Sequence, residues 1–367
     1  MENSIQVTGA FNSVIRSCQY LKESFVFVFV VPKNSKVVPI LKNEGVLFFE
    51  LNFREIRKSV YSIIFYFPFL IVNAIRLLAI AKANKADIIH VNDVYNMAPA
   101  VAKLFGLKSK LVVHIRFMPD RFPPWVFSTW WSIYLKMASQ IVAVSNSVTQ
   151  FLPASEKLVV IYDPLPHSST PIQPHQRENS EVQFLYLANY IPGKGHEAAL
   201  RSFYDAFQAN DMIRLRFVGS DMGLEKNRTF KKQIQRFCSE LSISNVVEWK
   251  DFVSDIEQEI RKADVVLNFS ESESLSLTCV EGMYYGKPVI ATASGGPQEL
   301  IEHLKSGYIV PVGDIKAMAE AIVLLASNKE LAYDLARGGY RAIREKLSED
   351  NTIQRLSKCY GLALKTS

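Results

Sequence analysis

Short apolar runs with no polar break recur along the chain, each followed by a stretch of helical length. Residues 25–31 read FVFVFVV, and 88–91, 111–114 and 141–144 repeat the theme. Helical spacing fits 13–22, 60–83, 96–105 and 126–138. Strands that are apolar throughout, not alternately, belong to sheets covered on both faces. Strands separated by helices build βαβ units on a parallel sheet. The segment DPLPHSSTPIQPHQRENS (163–180) holds four prolines among polar residues and reads as a linker. Beyond it the rhythm restarts, with strands expected at 183–188, 214–218, 246–249, 264–269 and 288–291. Helices fit 194–208, 227–241, 254–262, 277–285 and 315–326. The expected fold class is α/β, with two tandem doubly wound parallel-sheet domains over 1–165 and 181–345 and a linker at 166–180. A C-terminal helix within 346–367 is expected to pack back toward the first domain. Ligands of such sheets bind beyond the carboxyl ends of the strands, so a central cleft faced by both domains is where a site belongs.

Composition agrees with this reading. A chain of 367 residues exceeds one ordinary core. Its 49% hydrophobic and 21% charged content excludes a disordered chain. A net charge of +6 suits an anionic ligand or a membrane surface. No Lys/Arg block, RNA-binding signature or zinc-finger spacing occurs, so no nucleic acid partner is expected. Cys18, Cys238, Cys279 and Cys359 stand far apart, which fits neither a disulfide framework nor a metal cluster and points to a reducing cytosol. The start, MENSIQVTGAF, has no signal-peptide pattern. Residues 60–81 approach the length of a membrane span, but Pro68, Asn73 and Arg76 interrupt them. A buried or interface-lying helix is the expectation, with Arg54, Arg57, Lys58, Lys82 and Lys85 as flanking charges that suit either anionic headgroups or solvent.

Three segments could carry chemistry. In ESLSLTCVE (273–281), Glu273 follows a strand end and Glu281 lies inside the next helix, with helix-opening N–H groups between them. Such N–H groups suit a phosphate, and a carboxylate one turn in can accept hydrogen bonds from paired sugar hydroxyls. In LANYIPGKG (187–195), Lys194 sits in a strand-to-helix turn and can act as a point charge for phosphate. In VVHIRF (112–117), His114 ends a strand and could relay a proton or bond a sugar hydroxyl, as could His90 and Asp93 in IIHVND. Each of these also fits an ordinary solvated or hydrogen-bonded structural residue.

Taken together, ADVVLNFSESESLSLTCVEGMYYGKPVIATASGGPQELI (263–301), LANYIPGKG, RFVGS (216–220) and SGYIVPVGD (306–314) resemble glycosyltransferase family 4, the retaining nucleotide-sugar glycosyltransferases of GT-B fold. ADIIHVND, VVHIRF, SQIVAVSNSV and LVVIYDPLP are similar to the family's successive first-domain strand ends. The resemblance implies a first domain that reads the acceptor and a second that holds the donor. It implies that Glu281 holds the nucleotide ribose and that Glu273 meets the transferred sugar near its reacting carbon. Ser276, Leu277 and Thr278 would meet the diphosphate, with Lys194 opposite. It implies no cofactor and no metal, only a nucleotide-diphosphate sugar as co-substrate.

Several positions depart from the family. Asn189 stands where arginine is usual, five residues before Lys194 in the donor loop. Ser274 and Ser276 stand where glycines are usual. The N-terminal donor loop, TGAFNSV, has Gly9-Ala10 for two glycines, and the first strand is expected to be missing or short. The expected activity is transfer of a sugar to an acceptor hydroxyl in surface polysaccharide or glycolipid synthesis, from the cytoplasm or the inner membrane face. The partners would be a nucleotide sugar, a glycan or lipid-linked glycan acceptor, and a peripheral membrane contact. The rival expectations are a catalytically inactive sugar-nucleotide-binding or membrane-associated partner of a glycan assembly complex, and a GT-B sugar-nucleotide epimerase. No GxGxxG follows a strand, which disfavours a nicotinamide dehydrogenase.

Overall fold

The computed structural model describes residues 1–53, 60–166, 173–253 and 255–366. Arg54, Arg57 and Lys58, the flanking charges that suit either headgroups or solvent, lie outside the described residues, as does the 167–172 part of the expected linker. The chain forms two compact units, Met1–Pro164 with Glu349–Ser367, and Leu165–Ser348.

In the first unit the order is α1 (Gly9–Leu21), β1 (Val28–Pro32), α2 (Val38–Asn43), β2 (Leu47–Leu51), α3 (Val60–Ala83) and β3 (Ile88–Asn92). Then follow α4 (Ala98–Leu104), β4 (Lys110–Ile115), α5 (Pro124–Met137), β5 (Gln140–Ala143), α6 (Asn146–Thr149) and β6 (Leu158–Val160). All pairing is parallel, but the sheet is in two pieces. Among the described residues β1 pairs with β2 alone, Val28 opposite Leu47, while β3-β4-β5-β6 form a four-stranded piece with Ile88 opposite Lys110. The side chain of Thr8 accepts from Phe11 N to cap α1, whose Phe11 and Ile15 cluster with Phe29 and Val31 of β1.

In the second unit the order is β7 (Val182–Leu187), α7 (His196–Ala209), β8 (Ile213–Val218), α8 (Glu225–Glu240), β9 (Val247–Lys250), α9 (Ile256–Arg261) and β10 (Val265–Asn268). After these come α10 (Leu277–Tyr284), β11 (Val289–Thr292), α11 (Gly296–Leu300), β12 (Tyr308–Val310), α12 (Ile315–Ser327) and α13 (Lys329–Lys346). Six parallel strands run β12-β11-β10-β7-β8-β9, so the strand order reverses between β7 and β10. Phe184, Phe217 and Leu267 are fully buried, and α7 and α12 lie against each other over one face. The prolyl stretch is not free along its length, because the Arg177 guanidinium donates to Leu325 O and Ala326 O of α12.

The last helix, α14 (Arg355–Lys365), belongs to the first unit, where Leu356, Cys359 and Tyr360 cluster with Val112 of β4 and Val142 of β5. The apolar run 25–31 only partly becomes a strand. Phe25 and Phe27 pack against that cluster instead, with the Phe25 and Tyr360 rings 5.3 Å apart, edge to face. The apolarity that mimics a longer strand therefore serves helix packing.

Candidate functional site

The second unit gathers polar groups at its reversal point, beyond the carboxyl ends of β7 and β10, where a doubly wound sheet opens a crevice. Two loops meet there. The β7–α7 loop turns through Lys194 N→Ile191 O (3.1 Å), and Gly195 caps α7 at φ 74°. A Cβ on Gly195 would stand 2.0 Å from Phe269 O, so glycine is required by both conformation and space. The β10–α10 loop is tied to it by Glu271 N→Gly193 O (2.9 Å). Buried Tyr186 joins both loops, donating to Lys194 O (2.5 Å) and accepting from Phe269 N (3.2 Å). Thr278 Oγ1 donates to Leu187 O at 2.9 Å, fixing the start of α10 to the end of β7.

Within this frame Lys194 Nζ lies 2.8 Å from Glu273 Oε1. The Glu273 side chain is 11% exposed and that of Lys194 33%. Burial alone would raise the Glu273 pKa, but the Lys194 charge and hydrogen bonds from Lys194, Ser270 and Asn268 hold it below the usual carboxylate value. The backbone of Glu273 is pinned on its other side, Glu273 N→Ser294 O and Gly296 N→Glu273 O both at 2.8 Å. Eight residues on, Glu281 is buried inside α10.

Ser276 is the N-cap of α10 and adopts φ 71°, the left-handed region that glycine occupies without cost. Its hydroxyl accepts from Cys279 N (3.3 Å) and from Asn268 Nδ2 (3.0 Å). These two bonds offset the strain of a serine at this position. Leu277 and Thr278 open the helix, so three successive residues present the N-terminal end of α10. Asn189 Oδ1 accepts from Ser220 N at 3.0 Å, linking the β7 and β8 loops.

Glu273, Lys194, Glu281, Asn189, Ser276, Leu277 and Thr278 thus all belong to the second unit. His114 and Gly9 belong to the first. Gly9 is exposed in the first turn of α1. His114 is 2% exposed on β4, its ring 5.5 Å from that of His90, and burial pushes its pKa well below the usual histidine value. Beside it Arg116 pairs with Asp163 and donates from Nε to Asn92 Oδ1 (2.6 Å), while Arg116 N donates to Asp93 Oδ1 (2.7 Å). Burial raises the Asp93 carboxyl to about 7 against the opposing pull of Arg116.

The sequence reading missed this Arg116–Asp163 cluster and the role of Asn268. The one local signal was an asparagine closing an apolar strand, as Asn92 and Asn268 both do. Among the described residues Asn268 Oδ1 and Ser272 Oγ are buried without a hydrogen-bond partner. Among the same residues no group of three or more His, Cys, Asp or Glu side chains is placed to hold a metal ion.

Two family patterns cover the chain in succession. That of Glycosyltransferase Family 4 matches residues 7–168, and that of Glycosyl transferases group 1 matches residues 169–342. Among solved structures, Anabaena HepE in complex with UDP and glucose superposes with a TM-score of 0.82, covering 98% of each chain at 17% identity. That likeness gives the fold as GT-B, with two Rossmann-like units. Among curated relatives, the N-acetyl-alpha-D-glucosaminyl L-malate synthase of Bacillus anthracis is 26% identical over 34% of this chain and 34% of its own. The lipopolysaccharide core biosynthesis glycosyltransferase LpsD of Rhizobium meliloti is 28% identical over 32% of this chain and 35% of its own. The match thus spans about a third of the length of these two curated relatives.

Proposed function

The chain belongs to glycosyltransferase family 4, and from that premise we propose that it moves a sugar from a nucleotide-diphosphate donor to an acceptor hydroxyl with retention of configuration. The observation that carries the reading is the Lys194–Glu273 pair at the reversal point of the second sheet, beside the N-terminus of α10. A helix N-terminus and a lysine together favour a diphosphate, and can stabilise its departure without a divalent ion. Glu281 takes the ribose hydroxyls and Glu273 the hydroxyls of the transferred sugar. The first unit takes the acceptor and the second the donor.

In the transfer step the bond between the anomeric carbon and the diphosphate oxygen breaks, and the nucleoside diphosphate leaves with the electron pair. The acceptor hydroxyl attacks from the same face and gives its proton to a donor phosphate oxygen. Lys194 and the α10 N–H groups neutralise the charge that grows on the leaving group. The lipopolysaccharide relative supports placing the product in surface polysaccharide or glycolipid synthesis.

The acceptor reading extends to a lipid-linked glycan at the cytosolic membrane face. Tyr66–Ala83 of α3 is long and apolar enough to cross a membrane, and 22% of it is buried. Phe67, Ile71, Val72 and Ile75 are exposed, with Arg76 and Lys82 exposed on the same helix. This composition suits an interfacial contact with anionic lipid. Cosedimentation with anionic vesicles that is unchanged by Ile75→Asp would remove the membrane part of the proposal.

The central test screens UDP-, GDP-, ADP- and TDP-sugars for thermal stabilisation, then reads the product's anomeric configuration by NMR. Stabilisation by one nucleotide class and a retained anomeric centre are expected. An inverted product refutes retention. Donor binding with no nucleoside diphosphate released in any acceptor mixture favours an inactive binding partner.

A further inference from the structure

Tyr186 stands on β7 opposite Leu267, at the last rung of the ladder between β7 and β10. Beyond that rung the two strands part into the loops that carry Lys194 and Glu273. A ladder that ends leaves backbone groups without a strand partner, and buried ones must find another. Lys194 O and Phe269 N find theirs in a single atom, the Tyr186 hydroxyl oxygen, at 2.5 and 3.2 Å.

The ring has little freedom to move. It is 1% exposed, with the rings of Phe217, His196 and Phe269 at 5.2, 5.4 and 6.2 Å. Burial pushes its pKa well above the usual tyrosine value, so the phenol stays protonated. Its one proton goes to Lys194 O, and a lone pair receives Phe269 N–H. The meeting point is closely packed. A Cβ on Gly195 would stand 2.8 Å from the Tyr186 hydroxyl oxygen and 2.0 Å from Phe269 O.

Both bonds reach the Lys194–Glu273 pair through the backbone. Lys194 O belongs to the residue whose ammonium holds Glu273, and Phe269 lies four residues before Glu273. The same two loops also meet at Glu271 N→Gly193 O (2.9 Å), a bond that does not involve the phenol. That amide therefore reports whether the loops stay together.

We propose that Tyr186 is a positioning residue for the transfer step: its hydroxyl keeps the β7–α7 and β10–α10 loops in register and so sets the spacing of Lys194 and Glu273. This rests on the donor reading of that pair given above. Without the hydroxyl, Lys194 O and Phe269 N lose their common partner and the two loops settle independently. A misplacement of about 1 Å at reacting groups can cost roughly a hundredfold in rate.

The test uses Tyr186→Phe, which keeps the ring and removes the hydroxyl, with Phe203→Leu from the same core cluster as a structural control. Amide exchange is measured first, with no donor or acceptor present. Exchange at the Glu271 amide is expected to rise about tenfold or more in Tyr186→Phe and to stay near the parent rate in Phe203→Leu. An unchanged Glu271 amide in Tyr186→Phe would overturn the proposal, whether or not the chain transfers a sugar. Nucleoside diphosphate release is then followed for Tyr186→Phe, Lys194→Met, the double variant and the control, well below all melting temperatures. Tyr186→Phe should lower kcat about ten- to a hundredfold, and Phe203→Leu should leave it near the parent value. Because the hydroxyl acts through the lysine, the double variant should lose clearly less than the product of the two single losses. Losses that multiply, or an equal loss in Phe203→Leu, would overturn the proposal and leave Tyr186 a packing residue. If Lys194→Met keeps full turnover, the donor reading fails and takes this inference with it. If Lys194→Met loses turnover and Tyr186→Phe does not, this inference alone fails.

Discussion

Ser276 offers a sharp test of how the α10 terminus is built, because two opposing effects act on one residue. A side chain in the left-handed region costs about 1–2 kcal/mol, a strain that glycine escapes. Against this, the Ser276 hydroxyl accepts from Cys279 N at 3.3 Å and from buried Asn268 at 3.0 Å. Ser276→Ala keeps the strain and loses both bonds. The lost cap is worth about 1 kcal/mol, and an unpaired buried amide roughly 1–3 kcal/mol, giving a loss of ~2–4 kcal/mol. Ser276→Gly loses the same bonds but sheds the strain, less the ~0.5–1 kcal/mol that glycine's extra chain entropy costs. The expected order of stability is therefore serine, then glycine, then alanine, with about 1 kcal/mol between the two variants. For a unit of this size that is roughly 2–4 °C in melting temperature. Scanning calorimetry with urea titration as a check would measure it. Elsewhere in helices alanine is more stable than glycine. An alanine variant equal to or above the glycine variant would refute the left-handed conformation at 276 and the capping account built on it.

Other perturbations follow from the same geometry. Lys194→Met and Glu273→Gln should each lower transfer turnover about ten- to a hundredfold, the worth of a charge-assisted bond, in a steady-state assay of released nucleoside diphosphate. Gly195→Ala meets both φ 74° and a 2.0 Å approach to Phe269 O, and should cost ~2–5 kcal/mol, seen as a large fall in melting temperature. Asp93 has its pKa raised to about 7 by burial, so the folded state holds a proton that the unfolded chain releases near pH 4. Its contribution to stability is full below pH 4 and falls as pH rises to about 7, by up to ~1.4 kcal/mol per pH unit. Asp93→Asn should remove that slope from the difference between variant and parent urea curves.

How much of this was legible depended on distance along the chain. Lys194 and Glu273 were found because each lies in the loop after an apolar strand, Lys194 after β7 and Glu273 after β10. β6 and β12 were harder to see at three residues each, too short to show a period. β2, reading LFFEL, mixes apolar and charged residues because it is an edge strand with an exposed side. The Arg116–Asp163 pair could not be read at all, because its members are 47 residues apart and meet only when β4 is in place. Asn268 was visible as a letter but not as a role, since it acts on Glu273 and Ser276 through the fold of the loop between them.

The departure at Asn189 redirects attention to how charge is shared in the donor loop. Its side chain serves the loop itself, accepting from Ser220 N, and it supplies no positive charge for a diphosphate. In the proposed donor site Lys194 would then carry more of that task, yet it is paired with Glu273. If a diphosphate draws Lys194 away, Glu273 loses both the charge and the hydrogen bond that hold its pKa down, while burial, which raises it, stays. Donor binding should therefore raise the Glu273 pKa and be accompanied by proton uptake at acidic pH. Titration calorimetry in buffers of different ionisation enthalpy measures that uptake directly. It should vanish in Glu273→Gln and fade toward pH 7. Binding with no uptake at acidic pH in the parent chain would mean that the ion pair survives in the complex, and that the α10 terminus meets the diphosphate without the lysine.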